Sequence, residues 1–149
     1  MRVVIQRVKE AKVTVDGKIT GEIGSGLMIL LGVHQTDTKK EADWLTEKIS
    51  KLRIFPDADG KMNISGLDAG ADFLVVSQFT LYGDAQKGNR PSFIESAQPG
   101  LAEPLYEYFC EKLEQLSGKK TQKGIFGAMM DVHLINDGPV TILLDSPRS

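Results

Sequence analysis

Apolar and polar residues alternate from the start of the chain: Val3, Ile5 and Val8, then Val13 and Val15, predict one long bent strand. Asp16-Gly17 is a strong hairpin signal, and Ile19 to Ile23 returns antiparallel. After Gly24-Ser25-Gly26, the run Leu27 to Val33 is apolar throughout, as expected of a central strand covered on both faces. Thr38 and Glu41 form a capping box, and Ala42, Leu45, Ile49 and Leu52 repeat at helical spacing to about Arg53. Asp57 to Lys61 reads as a turn, because the remaining ligands of a calcium loop are missing. Phe73 to Leu81 predicts the next strand, and Gly83 to Pro91 a polar loop carrying Lys87 and Arg90. Pro99 opens a second helix in which Leu105, Phe109, Leu113 and Leu116 share a stripe, ended by Gly118. Met129 to Ile135 and Val140 to Leu144 complete the strands, with Asn136-Asp137-Gly138 between them reading as a hairpin turn. This order lacks regular βαβ alternation and points to a single α+β domain over residues 1–149, mostly antiparallel, with two main helices.

Composition narrows the class. With 149 residues, 41% hydrophobic and 26% charged, the chain matches a soluble domain that buries its core without staples. The single cysteine, Cys110, leaves no intramolecular disulfide or cysteine-based zinc cluster; it reads as helix packing in a reducing compartment. No signal-peptide core and no run near the ~20 apolar residues of a membrane span is visible, so the expectation is a cytoplasmic protein without a membrane partner. A net charge of -2 argues against broad binding along a polyanion, so a nucleic acid would be gripped locally. Lys119, Lys120 and Lys123 read either as a solvated helix terminus or as a phosphate contact. Trp44, beside the first helical stripe, reads as core or interface rather than as a ligand platform.

The chemistry is sparse. His133 alternates with Val132 and Leu134 on the other strand face, and His34 follows a central strand; neither has a carboxylate at ligand spacing, so no metal and no cofactor are expected. Glu103, Glu107, Glu111 and Glu114 look like a solvated helix face. The polar patch Ser77-Gln78-Phe79-Thr80-Leu81, at the end of the apolar run Phe73-Leu74-Val75-Val76, is the candidate site. Ser77 and Thr80 read either as hydroxyls capping a strand end or as groups presented to a ligand. As nucleophiles they would need a base, and none is evident. The Gly-x-Ser-x-Gly and Gly-x-x-x-x-Gly-Lys blocks are absent. Asn136-Asp137-Gly138-Pro139-Val140-Thr141 is the second candidate segment, since Gly-Pro turns backbone carbonyls in unusual directions.

From end to end the chain resembles the D-aminoacyl-tRNA deacylases of the bacterial and eukaryotic type. The matching stretches are Ile5-Gln6-Arg7-Val8 with Ala11 to Val15, Gly21-Glu22-Ile23-Gly24, Leu31-Gly32-Val33, Arg53-Ile54-Phe55, Gly60-Lys61-Met62-Asn63, Ser77 to Leu81, Arg90-Pro91-Ser92-Phe93, and Asn136 to Thr141, with no departure among them. The five-residue block and the Gly-Pro block are specific in combination. The resemblance implies a barrel-like sheet, a homodimer with sites at its interface, and hydrolysis of the ester joining a D-amino acid, or mischarged glycine, to the terminal adenosine of tRNA. It further implies a cis Gly138-Pro139 bond whose carbonyls reach across the dimer to hold the substrate's α-ammonium, with Arg7 supporting the motif. A main-chain N–H of Phe79 or Thr80 would stabilise the oxyanion, and Ser77 and Gln78 would position the adenosine. Thr80 as a covalent nucleophile is the competing mechanism. Two other classes stay open: a binding module for nucleic-acid ends without turnover, and an editing domain for L-aminoacyl-tRNA.

Overall fold

The computed structural model describes residues 1–148. A single long strand, β1 (Arg2–Val15), organises the sheet. Along one edge lie β2 (Lys18–Ile23) and β3 (Gly26–Gly32), and their register is continuous: Ala11 faces Ile23 and Val8 faces Gly26. The Asp16-Gly17 hairpin therefore has one arm broken only at Gly24-Ser25. β3 then pairs in parallel with β6 (Asp72–Ser77), and β6 with the short β7 (Gln122–Lys123). These two parallel pairings sit within an otherwise antiparallel set. β4 (Phe55–Pro56) and β5 (Met62–Ile64) form a separate ribbon around the Asp57–Lys61 turn. The sheet curls until its ends meet: Thr20 Oγ1 donates to Lys123 O at 3.2 Å, and Glu22 N to Gln122 Oε1 at 3.4 Å. The result is the nearly closed, barrel-like α+β fold that the sequence led us to expect.

Side-chain alternation builds a core on each face of this sheet. Val3, Ile5, Leu27, Ile29, Leu31, Phe73 and Val75 pack under the two helices, whereas Val8, Val13, Met28, Leu74 and Val76 form a second cluster. Val3 and Ile5 point one way and Ala11 and Val13 the other, because the β1–β8 ladder is irregular between Gln6 and Glu10. Helix α1 (Lys39–Lys51) starts at the capping box of Thr38 and Glu41 and buries Ala42, Leu45 and Ile49. Helix α2 (Pro99–Ser117) buries Leu105, Tyr106, Phe109 and Leu113 and ends on Gly118. Tyr106 is tied to the sheet by its hydroxyl, which donates to Val75 O at 2.8 Å.

Three elements differ from the sequence reading, and for Trp44, read as core or interface, the structure removes the first. The strand expected over Phe73–Leu81 stops at Ser77, and Phe79–Tyr82 form a 3-10 turn. Met129 and Met130 lie in a loop, and the last strand begins at Asp131. The hairpin expected at Asn136–Gly138 is absent: β8 (Asp131–Asp145) is one strand running along the whole second edge of β1. Trp44 is not in the core; it is 36% exposed on the outer face of α1, with Lys48 Nζ 5.3 Å from its ring centroid. Lys119 and Lys123 are each paired with a carboxylate, Asp72 at 3.1 Å and Glu107 at 2.8 Å. Among the described residues no helix is long and apolar enough to cross a membrane.

The parallel β3–β6 seam begins with Gly26 opposite Asp72, where a Cβ on Gly26 would lie 2.0 Å from Asp72 O. Gly26→Ala is expected to destabilise the fold by about 2–3 kcal/mol through this backbone clash. Urea unfolding checks it; a shift under about 0.5 kcal/mol, the range of neutral surface changes, would show that the seam yields there.

Candidate active site

The first half of the site grows from the end of β6. Ser77 pairs with Leu31, and Gln78 N still donates to Leu31 O at 2.8 Å, after which the backbone leaves the sheet and winds into the 3-10 turn. Every carbonyl from Gln78 to Leu81 is occupied. Gln78 O accepts from Leu81 N at 3.2 Å, Phe79 O from Ser96 Oγ at 2.8 Å, Thr80 O from Gly83 N at 2.9 Å, and Leu81 O from Arg2 Nη1 at 3.0 Å. Arg2 is itself held by Asp145 at 2.7 Å and lies over the ring of Tyr82. The donors are the reverse case: among the described residues, the N–H groups of Phe79 and Thr80 meet no acceptor. The turn thus has its acceptors fixed by neighbours and two main-chain donors left over for something else.

Beside this turn lies a pocket of about 600 Å³. Ser77, Gln78 and Phe79 form its near wall, with Phe93 meeting Phe79 edge to face at 5.3 Å between centroids. Thr80 is exposed at the rim rather than in the wall, and its hydroxyl accepts a short hydrogen bond from Gln78 Nε2. The far wall comes from Gln98 and Tyr106 of the second-helix region and from the loop carrying Phe126, Met129 and Met130. Among the described residues no Asp, Glu, His, Lys, Arg or Cys lines it. Its single titratable group is Tyr106, whose hydroxyl is engaged with Val75 O and whose pKa burial pushes well above the normal tyrosine range. Such a wall offers flat apolar surface and a few neutral hydrogen-bonding groups, but no general base.

The second half lies on β8. Gln6 pairs with Thr141 and Val8 with Asn136, so the four residues Asp137 to Val140 stand against Arg7 alone. The chain bulges outward there, and the Gly138–Pro139 peptide bond is cis. Gly138 has φ +124°, and a Cβ would meet Val140 Cγ2 at 2.9 Å and Arg7 Nη2 at 3.2 Å, so no other residue suits the position. Arg7, buried in the fold, holds the bulge from beneath: Nε donates to Asp137 O at 3.1 Å and lies 3.4 Å from Asp137 Oδ2, while Nη1 donates to Ile54 O at 2.6 Å.

The two halves are not brought together within one chain. The 3-10 turn packs against Gly32, which pairs with Arg2, whereas the bulge stands opposite Arg7. Five residues of strand separate these levels, roughly 17 Å. Neither histidine lines the pocket: His34 is buried behind the turn, its ring edge to face with Tyr82 at 5.3 Å and bonded through Nδ1 to Thr36 Oγ1 at 2.9 Å, and His133 is exposed on β8. No cluster of three or more His, Cys, Asp or Glu among the described residues could hold a metal ion.

A model of the D-Tyr-tRNA(Tyr) deacylase family matches residues 4–145. The D-aminoacyl-tRNA deacylase of Brevibacillus brevis is 56% identical over 146 residues, covering 98% of this chain and 100% of the relative. That of Salinibacter ruber is 57% identical over 145 residues, covering 97% of each. Among solved structures, the c-Myc DNA unwinding element binding protein superposes with a TM-score of 0.92 at 43% identity, over 99% of this chain and 100% of that one. A probable eukaryotic D-amino acid tRNA deacylase has the same fold at TM-score 0.85 and 18% identity, covering 97% and 98% of the two chains. The chain belongs to the D-Tyr-tRNA(Tyr) deacylase family.

Cys110, the one thiol, is buried in α2 away from both halves, and burial pushes its pKa up to about 12. At pH 8 roughly one molecule in ten thousand would carry the thiolate. Native protein is expected to resist a thiol reagent at pH 8 and to label with one equivalent once unfolded in guanidinium; rapid native labelling would contradict the packing described.

Proposed function

We propose that this member of the family hydrolyses the ester bond of D-aminoacyl-tRNA and of mischarged glycyl-tRNA, and that its active site is completed by a second copy of the chain. The observation that carries this reading is the pairing of two unengaged main-chain donors, Phe79 N–H and Thr80 N–H, with an adjacent pocket whose wall has no basic side chain. In the proposed complex the terminal adenosine enters that pocket, positioned by Ser77 and Gln78. The attacked carbonyl then lies over the turn, and as water adds, its oxygen gathers negative charge opposite the open N–H groups. Loss of one such donor raises a barrier by about 3 kcal/mol. The proton taken from water passes by way of the ribose 2′-hydroxyl next to the ester, because the protein supplies no base there.

Selection for handedness is assigned to the bulge. The carbonyls of Gly138 and Pro139 of one protomer hold the α-ammonium of the substrate bound to the other. With ammonium and ester both fixed, an L side chain runs into the backbone of the bulge, while a D side chain or the hydrogen of glycine points away. Rejection by clash needs no reading of the side chain that is accepted. Two features support a homodimer: the roughly 17 Å between turn and bulge in one chain, and the open edge of β8, where Val132, Ile135 and Leu143 are exposed.

A second reading is favoured by the likeness to the c-Myc DNA unwinding element binding protein: the pocket would bind a nucleic-acid end without turnover. Release of many equivalents of free D-amino acid per protein excludes it. The same assay run with D-, L- and glycyl-tRNA is expected to show cleavage of the D and glycyl esters only. Equal cleavage of D and L esters would remove the chiral role of the bulge and favour an editing domain for L-amino acids.

Thr80→Ala is expected to keep activity within about tenfold of wild type, whereas a substrate ending in 2′-deoxyadenosine is expected to lose about 10²–10⁴-fold, the usual worth of a proton-transfer group. Single-turnover deacylation measures both. A trapped Thr80 ester intermediate would reverse this ranking and make the hydroxyl the nucleophile.

A further inference from the structure

We infer that the outer face of α1, with the groove at its C-terminal end, is the surface on which the phosphate backbone of the tRNA acceptor stem docks; this rests on the deacylase reading above. The chain is net negative, at -2, so a polyanion needs a local concentration of cations. Five of the 18 Lys and Arg residues fall within Lys39 to Arg53. The three acids of that stretch are occupied: Glu41 caps the helix, Asp43 accepts from Tyr108 Oη at 2.6 Å, and Glu47 pairs with Lys51 at 3.2 Å. Lys40, Lys48 and Arg53 are exposed and have no carboxylate within 4.0 Å among the described residues.

Spacing aligns this charge. Lys40, Trp44, Lys48 and Lys51 follow one another at four, four and three residues, a single stripe roughly 16 Å long on the solvent side of α1. The stripe leads into an open groove of about 400 Å³ lined by Trp44, Glu47, Lys48, Lys51, Leu52 and Arg53. Trp44 is exposed there, with Lys48 Nζ over its ring. An exposed ring flanked by unpaired cations suits RNA, the cations meeting phosphates and the ring a ribose or base face. The basic cluster after α2 is a poorer candidate, since Lys119 and Lys123 are already held by Asp72 and Glu107.

Position supplies the remaining argument. Arg53 immediately precedes Ile54, whose carbonyl anchors Arg7, and Arg7 anchors the bulge at Asp137. In the proposed dimer the bulge of one protomer stands over the aminoacyl end held by the other. The groove of that same protomer is then next to the emerging acceptor stem, so one chain supplies the pocket and its partner the docking face.

The test compares wild type with Lys40→Glu/Lys48→Glu, and with a control reversal of the same charge elsewhere, Lys18→Glu/Lys120→Glu. Filter binding of uncharged tRNA across a salt series, KM and kcat on D-aminoacyl-tRNA, and hydrolysis of a D-aminoacyl-adenosine ester are measured for each. The α1 variant is expected to raise Kd and KM for tRNA at least about tenfold and to flatten the log–log salt dependence by about one to two, with the small ester cleaved at the wild-type rate. Lys40→Gln/Lys48→Gln should show a smaller loss of the same kind. Unchanged tRNA binding, an equal loss in the control, or a loss extending to the small ester would each overturn the docking surface. Failure of the wild type to cleave either substrate would instead sink the deacylase reading, and binding of uncharged tRNA would still decide the role of α1.

Discussion

The buried guanidinium of Arg7 is the contact on which both ends of this architecture depend. It sits in β1 where one residue faces four of β8, and it spans from Ile54 O at 2.6 Å to Asp137 O at 3.1 Å. A bulge of that width forfeits ladder hydrogen bonds and would be free to collapse back onto the sheet. The charged fork replaces the missing bonds and props the segment outward from below. Removing it would strand the buried carbonyl of Ile54 and the half-buried carbonyl of Asp137, a loss of a few kcal/mol that neutral packing cannot recover. Lysine is no substitute, because a point charge on a flexible stem cannot hold two acceptors in fixed directions. Arg7 thereby couples the exit of α1 to the shape of the bulge.

The 3-10 turn uses the opposite device. There the carbonyls are pinned, by Ser96 and Arg2 among others, and the amides of Phe79 and Thr80 stay open. Fixed dipoles near an apolar wall act on developing charge without reorganising, and this is what an ester hydrolase requires of a site that has no base of its own. In the proposed mechanism the polypeptide provides geometry and field, and the proton relay falls to the nucleic acid. A deoxy end would occupy such a pocket without being turned over, so binding and cleavage have different chemical requirements at the same place.

Much of this was readable from residue order. The continuous β1 hairpin, the capping box at Thr38, the central strand at Leu27 to Leu31 and the second helix from Pro99 follow from local periodicity and punctuation, which tertiary packing reinforces. Two of the misreadings share one cause. Phe79, Leu81 and the run at Val140 to Leu144 have strand-like alternation, but whether a strand continues or turns depends on which partner edge is available. Gln78 is the last residue that finds Leu31 O, and beyond it β3 has ended. Asn136-Asp137-Gly138 carries turn chemistry, yet the long edge of β1 holds both flanking halves in one strand, so the turn residues become a bulge instead. Nothing in the apolar pattern marks the far wall of the pocket, because Phe126 to Met130 meet Ser77 and Phe79 only after the sheet curls; Gly124 and Gly127, which interrupt the alternation before Asp131, were the available hint.

Charge and symmetry together explain how an acidic chain handles a polyanion in the proposed assembly. A uniformly basic surface would hold tRNA of every kind for long times, since phosphate contacts carry affinity and no information about the amino acid. Gathering Lys40, Lys48 and Arg53 along one side of α1 gives a local contact whose strength depends on salt, while discrimination is left to the bulge. In a two-fold dimer each protomer offers one stripe, one bulge and one pocket, and the bulge of one must meet the pocket of the other. The approach of the stem and the judgement of handedness then depend on the same chain, through the short path from Arg53 to Ile54 to Arg7 to Asp137.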